Sequence, residues 1–319
     1  MVLGNDDVVT NLTEYNRITV SDMTQMAFEV ILMVFVCTVN TLTLITVFLN
    51  RNLWTVPNMY IISLAVADFL TGLSLAYQIV FHIPEIKLVL DQNKYLCLFR
   101  HVLFFTMIGA SLSNMILIAF DRWTCITFPL TYKRLATIQK AGILIGIAWI
   151  VATIIGSMPL YVNNWQQDTP CLFFKVLTME YQVYVQGGFF IVCSIIIAAC
   201  YGHIFRIAKR EREAILRVTV ISDAQADGAR MAKFKRDWEL VVMFGVVFGV
   251  FFLCSAPAFI FVTIAYTVGV SETVNSFTVP LLMMNSGMNF VIYVVKNSHF
   301  RTALKATCLN CRTTVIGAM

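Results

Sequence analysis

The chain has 319 residues, of which 59% are hydrophobic and only 13% are charged. Soluble domains usually hold about 45–50% apolar and about 25% charged residues, so this chain carries more apolar surface than a water-soluble globule can bury. The same composition excludes disordered, collagen-like and disulfide-scaffold proteins. The net charge of +5 is not spread over one folded surface, and we expect no nucleic-acid partner. The composition indicates an integral membrane protein.

Seven segments are long and apolar enough to cross a bilayer, for which a helix needs about 20 mostly apolar residues. Their apolar residues do not alternate with polar ones, so they predict helices and not the strands of a transmembrane barrel. The fold class is therefore an all-α integral membrane protein, a seven-transmembrane helix bundle with a short amphipathic helix after it in NSHFRTALKA. The predicted spans are 27–50, 58–82, 98–121, 141–162, 181–205, 238–267 and 273–295.

The distribution of basic residues sets the orientation of the bundle. With the amino terminus outside, the cytoplasmic side carries 18 Lys and Arg residues and the outer side carries 5. Because cytoplasmic loops are enriched in Lys and Arg, this imbalance predicts an extracellular amino terminus in a multi-pass plasma-membrane protein. Residues 1–26 then form an extracellular tail, 27–295 the seven-helix domain, and 296–319 a cytoplasmic amphipathic helix and tail. The glycosylation sequon at Asn11 falls in the outer tail, as this topology requires.

A carboxylate in the middle of a span is informative, because a charge inside the bilayer costs at least a few kcal/mol. Asp68 lies within SLAVADFL of the second span. It is either a protonated carboxyl satisfied by its neighbours or part of a cation site. Oxygen donors around one carboxylate suit a hard monovalent cation, so an allosteric sodium ion is the one metal or cofactor that we expect. The other residues of this predicted polar network are Asn40, Ser111, Asn285, Ser286 and Asn289.

Several motifs together resemble the rhodopsin-like (class A) G-protein-coupled receptors, with adenosine-like receptors the nearest. They are the seven spans, SLAVADFL, the triplet DRW after the third span, Trp149 in the fourth, and the pair Cys97 and Cys171. The resemblance implies a receptor that couples an extracellular ligand to a heterotrimeric G protein, with arrestin, receptor kinases and membrane lipid as further partners. The protein is not expected to be an enzyme, since no phosphate-binding glycine loop, HExxH or nucleophile-elbow motif occurs.

The resemblance gives separate roles to two pairs of cysteines. It implies a disulfide between Cys97, at the outer end of the third span, and Cys171 in the second outer loop, both on the oxidising face. Cys308 and Cys311 follow the amphipathic stretch, a position typical of juxtamembrane palmitoylation. The other cysteines lie mostly within helices, where a small buried side chain is the simpler interpretation.

The resemblance also assigns a basic residue to a conformational switch. In the resting state Arg122 would pair with Asp121 and with Asp237 at the inner end of the sixth span, although Asp237 could instead be a solvated charge. On activation, two tyrosines would move towards Arg122 as the sixth span swings outward. The residues assigned to the switch are Asp121, Arg122, Tyr201, Asp237, Phe251, Pro257 and Tyr293.

Three positions depart from the family pattern. Phe290 replaces the proline of the motif that reads NFVIY here, Ser255 stands where a tryptophan is usual, and Cys193 stands where a proline is common. Losing prolines changes local helix bending, so these departures bear on the efficiency of signalling. They leave the predicted fold unchanged.

Two ligand classes are disfavoured by the residues at their diagnostic positions. The third-span site where amine receptors carry an aspartate holds Phe104, so no anion is available there for an ammonium group. Opsins need a lysine in the seventh span for their Schiff base, and that site holds Met283. We therefore expect neither a biogenic amine receptor nor a photoreceptor.

The second outer loop most resembles that of adenosine receptors, in which an aromatic residue at the position of Phe173 stacks on the purine. In those receptors an acidic residue and an amide residue hydrogen-bond the adenine, and Phe174 and Val262 stand at their positions here. Aromatic stacking on a purine would remain, but the hydrogen bonds that select adenine would be lost. We therefore expect a small, largely apolar or purine-like ligand, oriented by a histidine and an asparagine. The predicted ligand-binding residues are His101, Phe104, Phe105, Ile108, Phe173, Phe259, Val262 and Asn275.

Two alternatives to an ordinary receptor stay open. A receptor that signals poorly or constitutively would follow from Phe290 and Ser255. A seven-span transporter or channel would require paired ionisable groups along a pore, and beyond Asp68 the sequence offers no such line.

Overall fold

The computed structural model describes residues 19–167, 170–219, 224–269 and 272–316. These ranges are almost entirely helical and contain no β-strand. Six of their helices are long and apolar enough to cross a membrane, and Leu281–Lys296 forms a shorter apolar helix. The predicted all-α bundle, with a further helix after it, is confirmed.

Seven helices, numbered first to seventh in chain order, correspond to the predicted spans. They are Val20–Leu49, Val56–Val80, Lys94–Thr127, Ile138–Ser157, Gly188–Thr219, Ala224–Ile264 and Glu272–Lys296. A π-helical segment, Glu180–Gly187, precedes the fifth helix, and another, Ala265–Gly269, follows the sixth. The remaining helices are Pro84–Gln92, Pro129–Leu135, Phe173–Val176 and Ser298–Ile316, with 3-10 turns at Arg51–Leu53 and Met158–Leu160.

Polar capping residues set where the first and third helices begin, and they explain why both helices start before the predicted spans. Thr19 and Asp22 form a reciprocal capping box, so the first helix begins at Val20 and not at the predicted 27. Asn93 accepts hydrogen bonds from the backbone N–H groups of Tyr95 and Leu96 and starts the third helix. Hydropathy marks the membrane-embedded part of a helix, whereas capping residues mark where the helix itself begins.

The core is divided between the two halves of the bundle. One large cluster includes Leu64, Met115, Phe244, Phe251 and Tyr293, and a separate cluster includes the aromatic residues near the loop that carries Cys171. We name these the inner and the outer cluster, and the two ends of the bundle likewise, after the orientation predicted from the loop charges. Small residues let neighbouring helices approach closely. The third and fourth helices meet at Gly156, where an added Cβ would lie 2.6 Å from the backbone of Thr106. The third helix contributes to both the inner and the outer cluster and so links them.

Candidate functional site

A disulfide fixes the outer end of the third helix. Cys97 and Cys171 are joined, with their Cα atoms 5.8 Å apart, and both are buried. The backbone N–H of Cys171 also donates to Asp91 Oδ1 at 3.0 Å. The predicted disulfide is therefore present, and it holds the second outer loop over the bundle.

Aromatic side chains gather directly below this loop. The ring of Phe105 lies 5.1 Å from Phe104, 6.2 Å from Phe173 and 5.5 Å from Tyr181, measured between centroids. His101 packs edge-to-face on Phe173 at 5.8 Å. Tyr181 belongs to the same cluster, although no motif in the sequence points to it, and its hydroxyl donates to the carbonyl of Ile155 at 3.2 Å. An aromatic cluster at the mouth of a helix bundle can receive a flat, apolar ligand.

The predicted ligand-binding residues do not all meet. Ile108 packs on the outer aromatic cluster, but Phe259 stacks on Phe190 at 4.4 Å and packs against the inner cluster. Val262 is half-buried on the sixth helix. The side chain of Asn275 lies outside the described residues. The structure therefore brings together five of the predicted set: His101, Phe104, Phe105, Ile108 and Phe173.

Several buried polar atoms of the described residues lack a hydrogen-bond partner near the outer end of the bundle. Among them are Nε2 of His101, which is 4% exposed, Nε2 of Gln182, which is 3% exposed, and Nε1 of Trp165. Leaving a buried polar group unsatisfied usually costs about 1–3 kcal/mol. The His101 ring packs on Phe173, and one of its nitrogens lies within 4.8 Å of the sulfur atoms of Cys97 and Cys171.

A polar network surrounds Asp68 in the middle of the bundle. Asp68 is fully buried, and its carboxylate accepts from Ser111 Oγ at 3.1 Å and from Asn289 Nδ2 at 2.7 Å. Ser286 is buried beside this carboxylate. Asn285 is buried, and its Oδ1 has no hydrogen-bond partner. The second, third and seventh helices therefore converge on one carboxylate.

Asn40 has a different role within this predicted network. Its Nδ2 donates to the carbonyl oxygens of Val36 and Ser286, each at 3.0 Å, and so ties the first helix to the seventh. Asn114, one turn after Ser111 on the third helix, was not predicted to belong here; it is fully buried, and its Oδ1 has no hydrogen-bond partner. A carboxylate with hydroxyl and amide oxygens in buried surroundings is a donor set that fits a hard cation.

At the inner end of the third helix, a buried ion pair is held by a tyrosine. Arg122 pairs with Asp121, and its Nε donates to Asp121 Oδ2 at 2.9 Å. Tyr132, from the helix Pro129–Leu135, donates to Asp121 Oδ1 at 2.9 Å and accepts from Arg122 Nη2 at 3.3 Å. Burial, together with the Asp121 carboxylate, raises the pKa of the Tyr132 phenol above its usual value, so the hydroxyl remains a donor.

Of the other residues assigned to the switch, three lie in the inner cluster or beside it. Phe251 and Tyr293 are buried in the inner cluster, Tyr201 packs against that cluster, and Tyr293 OH has no hydrogen-bond partner. Pro257 lies inside the sixth helix. The side chain of Asp237 is outside the described ones, so its predicted pairing with Arg122 stays a prediction. Asn11 is likewise outside the described residues, as are the side chains of Cys308 and Cys311.

The model of one protein family matches residues 39–293, which is most of the chain and includes both the Asp68 network and the Arg122 ion pair. That family is the 7 transmembrane receptor (rhodopsin family). The chain belongs to this family. Because its members are receptors and not enzymes, the predicted receptor class is confirmed and an enzymatic function is set aside.

Similar proteins include several named receptors. The chain is 27% identical to a probable G-protein coupled receptor No18 of Amphibalanus amphitrite, over 83% of this chain and 84% of that protein. It is also 27% identical to adenosine receptor A3 of Ovis aries, over 92% of each chain. A histamine H2 receptor of Cavia porcellus is 26% identical over 89% of this chain and 79% of its own length.

The three departures from the family pattern have defined surroundings in this rhodopsin-family receptor. The ring of Phe290 lies edge-to-face on Phe300 of the following helix, with centroids 6.1 Å apart. Ser255 is fully buried and its Oγ has no hydrogen-bond partner, while Cys193 is buried in the inner cluster. Phe290 thus adds an aromatic contact where the seventh helix meets the following helix.

Proposed function

We propose that this receptor lies in the plasma membrane, with its amino terminus outside, and couples a small, largely apolar or purine-like extracellular ligand to a heterotrimeric G protein. One observation carries the proposal. The third helix bears the aromatic cluster with His101 at its outer end and the buried Asp121–Arg122 pair at its inner end. A ligand that contacts the outer end more favourably in one state would shift the equilibrium at the inner end.

The ligand class follows from the side chains at the outer end. Phe104 is buried edge-to-face against Phe105, at the site where amine receptors would present a carboxylate. A protonated amine placed there would lose its hydration without gaining an ionic partner, which is costly. Some relatives are named as histamine and octopamine receptors, and Phe104 is the residue that argues against an amine ligand for this chain. A neutral aromatic ligand that accepts or donates one hydrogen bond at His101 fits these residues better.

The sodium ion is a second part of the proposal. Asp68, Ser111 and Ser286, with the nearby asparagine side chains, would hold it, and the ion would supply a positive charge that offsets the buried carboxylate. By binding between the second, third and seventh helices, it would favour the arrangement that keeps these helices together. Arrestin, receptor kinases and membrane lipid, glycosylation at Asn11 and palmitoylation at Cys308 and Cys311 complete the proposed set of partners and modifications.

A receptor with altered basal activity is the second candidate. It is favoured by Ser255, whose buried hydroxyl lacks a partner on the sixth helix, and by Phe290 beside the following helix. Unsatisfied polar atoms on a moving helix lower the stability of the state that buries them. Basal signalling of the unliganded receptor, relative to cells without it, distinguishes this candidate from an ordinary receptor.

The proposed function is tested in cells that express the receptor at measured surface levels. Cyclic AMP and calcium are recorded against panels of purines, neutral aromatic compounds, biogenic amines, peptides and lipids. We expect a neutral purine or apolar compound to act, with potency about tenfold or more lower in Phe173→Ala and in His101→Ala. Tyr161→Ala, which removes an exposed outer aromatic residue, is the matched control and should change nothing. A response to amines alone, or a response insensitive to both variants, would contradict the ligand class.

A further inference from the structure

Trp123, the third residue of the DRW triplet, is packed among aromatic side chains at the inner end of the third helix. Its ring lies 5.5 Å from Phe120 and 5.7 Å from Phe128, measured between centroids. The side chain is half-buried, and Phe128 caps the end of the same helix. These contacts fix the direction in which the indole N–H points.

The indole N–H reaches across to the fifth helix. Trp123 Nε1 donates to Nδ1 of His203 at 3.0 Å, and the two ring centroids are 6.2 Å apart. An indole nitrogen can only donate, so Nδ1 of His203 must be the ring nitrogen that carries no proton. The described side-chain hydrogen bonds of Asp121, Arg122 and Tyr132 run within the third helix and the inner helix after it. Among the described hydrogen bonds, Trp123–His203 is the one that joins the third helix to the fifth.

We propose that the Trp123–His203 hydrogen bond is a restraint that holds the inner end of the fifth helix against the third helix in the resting receptor. The adjacent residue is Arg122, so the restraint lies at the same end of the bundle as the proposed switch. Apolar packing between the two helices tolerates sliding, whereas a hydrogen bond weakens steeply when its distance or angle changes. Trp123 and His203 are therefore positioning residues that act on Arg122 and on the fifth helix.

The size of the effect follows from the exposure of the bond. His203 is exposed and Trp123 half-buried, so water competes for both groups. A hydrogen bond of this kind shifts an equilibrium by about two- to tenfold. The effect on signalling rests on the proposed coupling to a G protein. The restraint on the fifth helix does not depend on that coupling and can be measured without it.

Four variants separate the hydrogen bond from the packing around it. Trp123→Phe keeps an aromatic ring and removes the donor, and His203→Leu removes the acceptor. His203→Asn keeps an acceptor oxygen close to the position of Nδ1 and should restore the bond. The double variant Trp123→Phe/His203→Leu tests whether the two groups act together. His299→Leu, which removes another exposed inner histidine, is the control.

Hydrogen–deuterium exchange of the purified full-length receptor in nanodiscs reports on the restraint, over residues 199–212 of the fifth helix. We expect exchange about two- to tenfold faster in Trp123→Phe and His203→Leu, with no further increase in the double variant. His203→Asn and His299→Leu should match the parent. Unchanged exchange in both single variants, or equally fast exchange in His203→Asn and His203→Leu, would overturn the proposal.

Basal G-protein activation at matched surface expression is recorded in parallel. It should rise by a similar factor in Trp123→Phe and in His203→Leu. Faster exchange without any G-protein response would leave the restraint standing and count against the proposed function.

Discussion

The side-chain amide of Asn289 donates to Asp68 Oδ2 at 2.7 Å and thereby joins the seventh helix to the second. Ser111 adds the third helix to the same carboxylate. Asp68 is fully buried, and a charge in this position is expensive unless it is paired or hydrogen-bonded. The polar network therefore connects three helices through hydrogen bonds to one carboxylate. The stability of this connection depends on the groups that neutralise or hydrogen-bond Asp68.

We predict that Asp68→Asn abolishes any stabilisation of the receptor by sodium. The variant keeps the shape of the side chain and removes the charge that would attract the ion. The measurement is the midpoint of thermal unfolding of the purified receptor in sodium chloride and in choline chloride at equal ionic strength. The parent should unfold at a higher temperature in sodium, and the variant at the same temperature in both salts.

Glu85→Gln is the control for this experiment, because Glu85 is an exposed acidic residue on an outer helix. It should retain the sodium response of the parent. If Asp68→Asn also retained it, the network would be structural and would hold no cation.

The second prediction concerns the outer disulfide. Cys97→Ser and Cys171→Ser should each lower surface expression, and the double variant should be no worse than either single one, because all three lose the same covalent link. Losing a native disulfide commonly costs about 2–5 kcal/mol. Flow cytometry of an epitope-tagged receptor gives the comparison, with Cys37→Ser as the control that leaves this disulfide intact. Additive losses in the double variant would show that the two cysteines act separately.

The spanning segments were predictable from the sequence because hydropathy alone marks about 20 apolar residues. Their ends were not, since caps such as Thr19 and Asn93 act through local hydrogen bonds outside the apolar runs. The third helix, for example, runs from Lys94 to Thr127 and so passes both ends of the predicted span 98–121. Apolar length measures the part of the helix in the membrane, and polar or charged ends leave no hydropathy signal.

The candidate site was predictable in part. Motif positions brought Asp68, Ser111 and Asn289 into one network, but Tyr132 lay in a loop with nothing to relate it to Asp121. The same holds for His203, which is far from Trp123 in sequence and meets it only because the third and fifth helices pack together. Phe259 was assigned to the ligand site, although its ring packs on Phe190. The packing of adjacent helices sets which side chains face each other, and this cannot be predicted from the residue pattern of a single sequence.

The third prediction tests the close contact between the third and fourth helices. A Cβ at Gly156 would lie 2.6 Å from Thr106 N and from Thr106 Cα, which are backbone atoms that cannot rotate away. Gly156→Ala should therefore destabilise the receptor by about 1–3 kcal/mol or prevent its folding, as overpacking does in other cores. The measurement is the thermal unfolding midpoint, with surface expression for a variant that cannot be purified.

Gly146→Ala is the matched control on the same helix, since a Cβ there meets nothing within 4 Å. Alanine is the better helix former, so this variant should be neutral or more stable by up to about 1 kcal/mol. Equal behaviour of the two variants would mean that the third and fourth helices are further apart than the structure shows.

The last prediction concerns the switch at the inner end of the bundle. Arg122 is permanently cationic, and Asp121 and Tyr132 hold it in the resting arrangement. If Asp237 supplies a further acceptor from the sixth helix, Asp237→Ala removes a contact that keeps this helix inward, and basal G-protein activation should rise several-fold. Such coupling is usually worth about 1–3 kcal/mol. Arg122→Ala should lower ligand-driven activation, because the G protein would lose the cationic side chain of Arg122 as a partner.

Glu239→Ala is the control, since it removes an exposed acidic residue two positions further along the sixth helix. It should leave basal activity unchanged. Activity is compared at matched surface expression. A basal level in Asp237→Ala equal to that of the parent, in a receptor that responds to a ligand, would mean that Asp237 is a solvated charge and that Asp121 and Tyr132 alone hold Arg122.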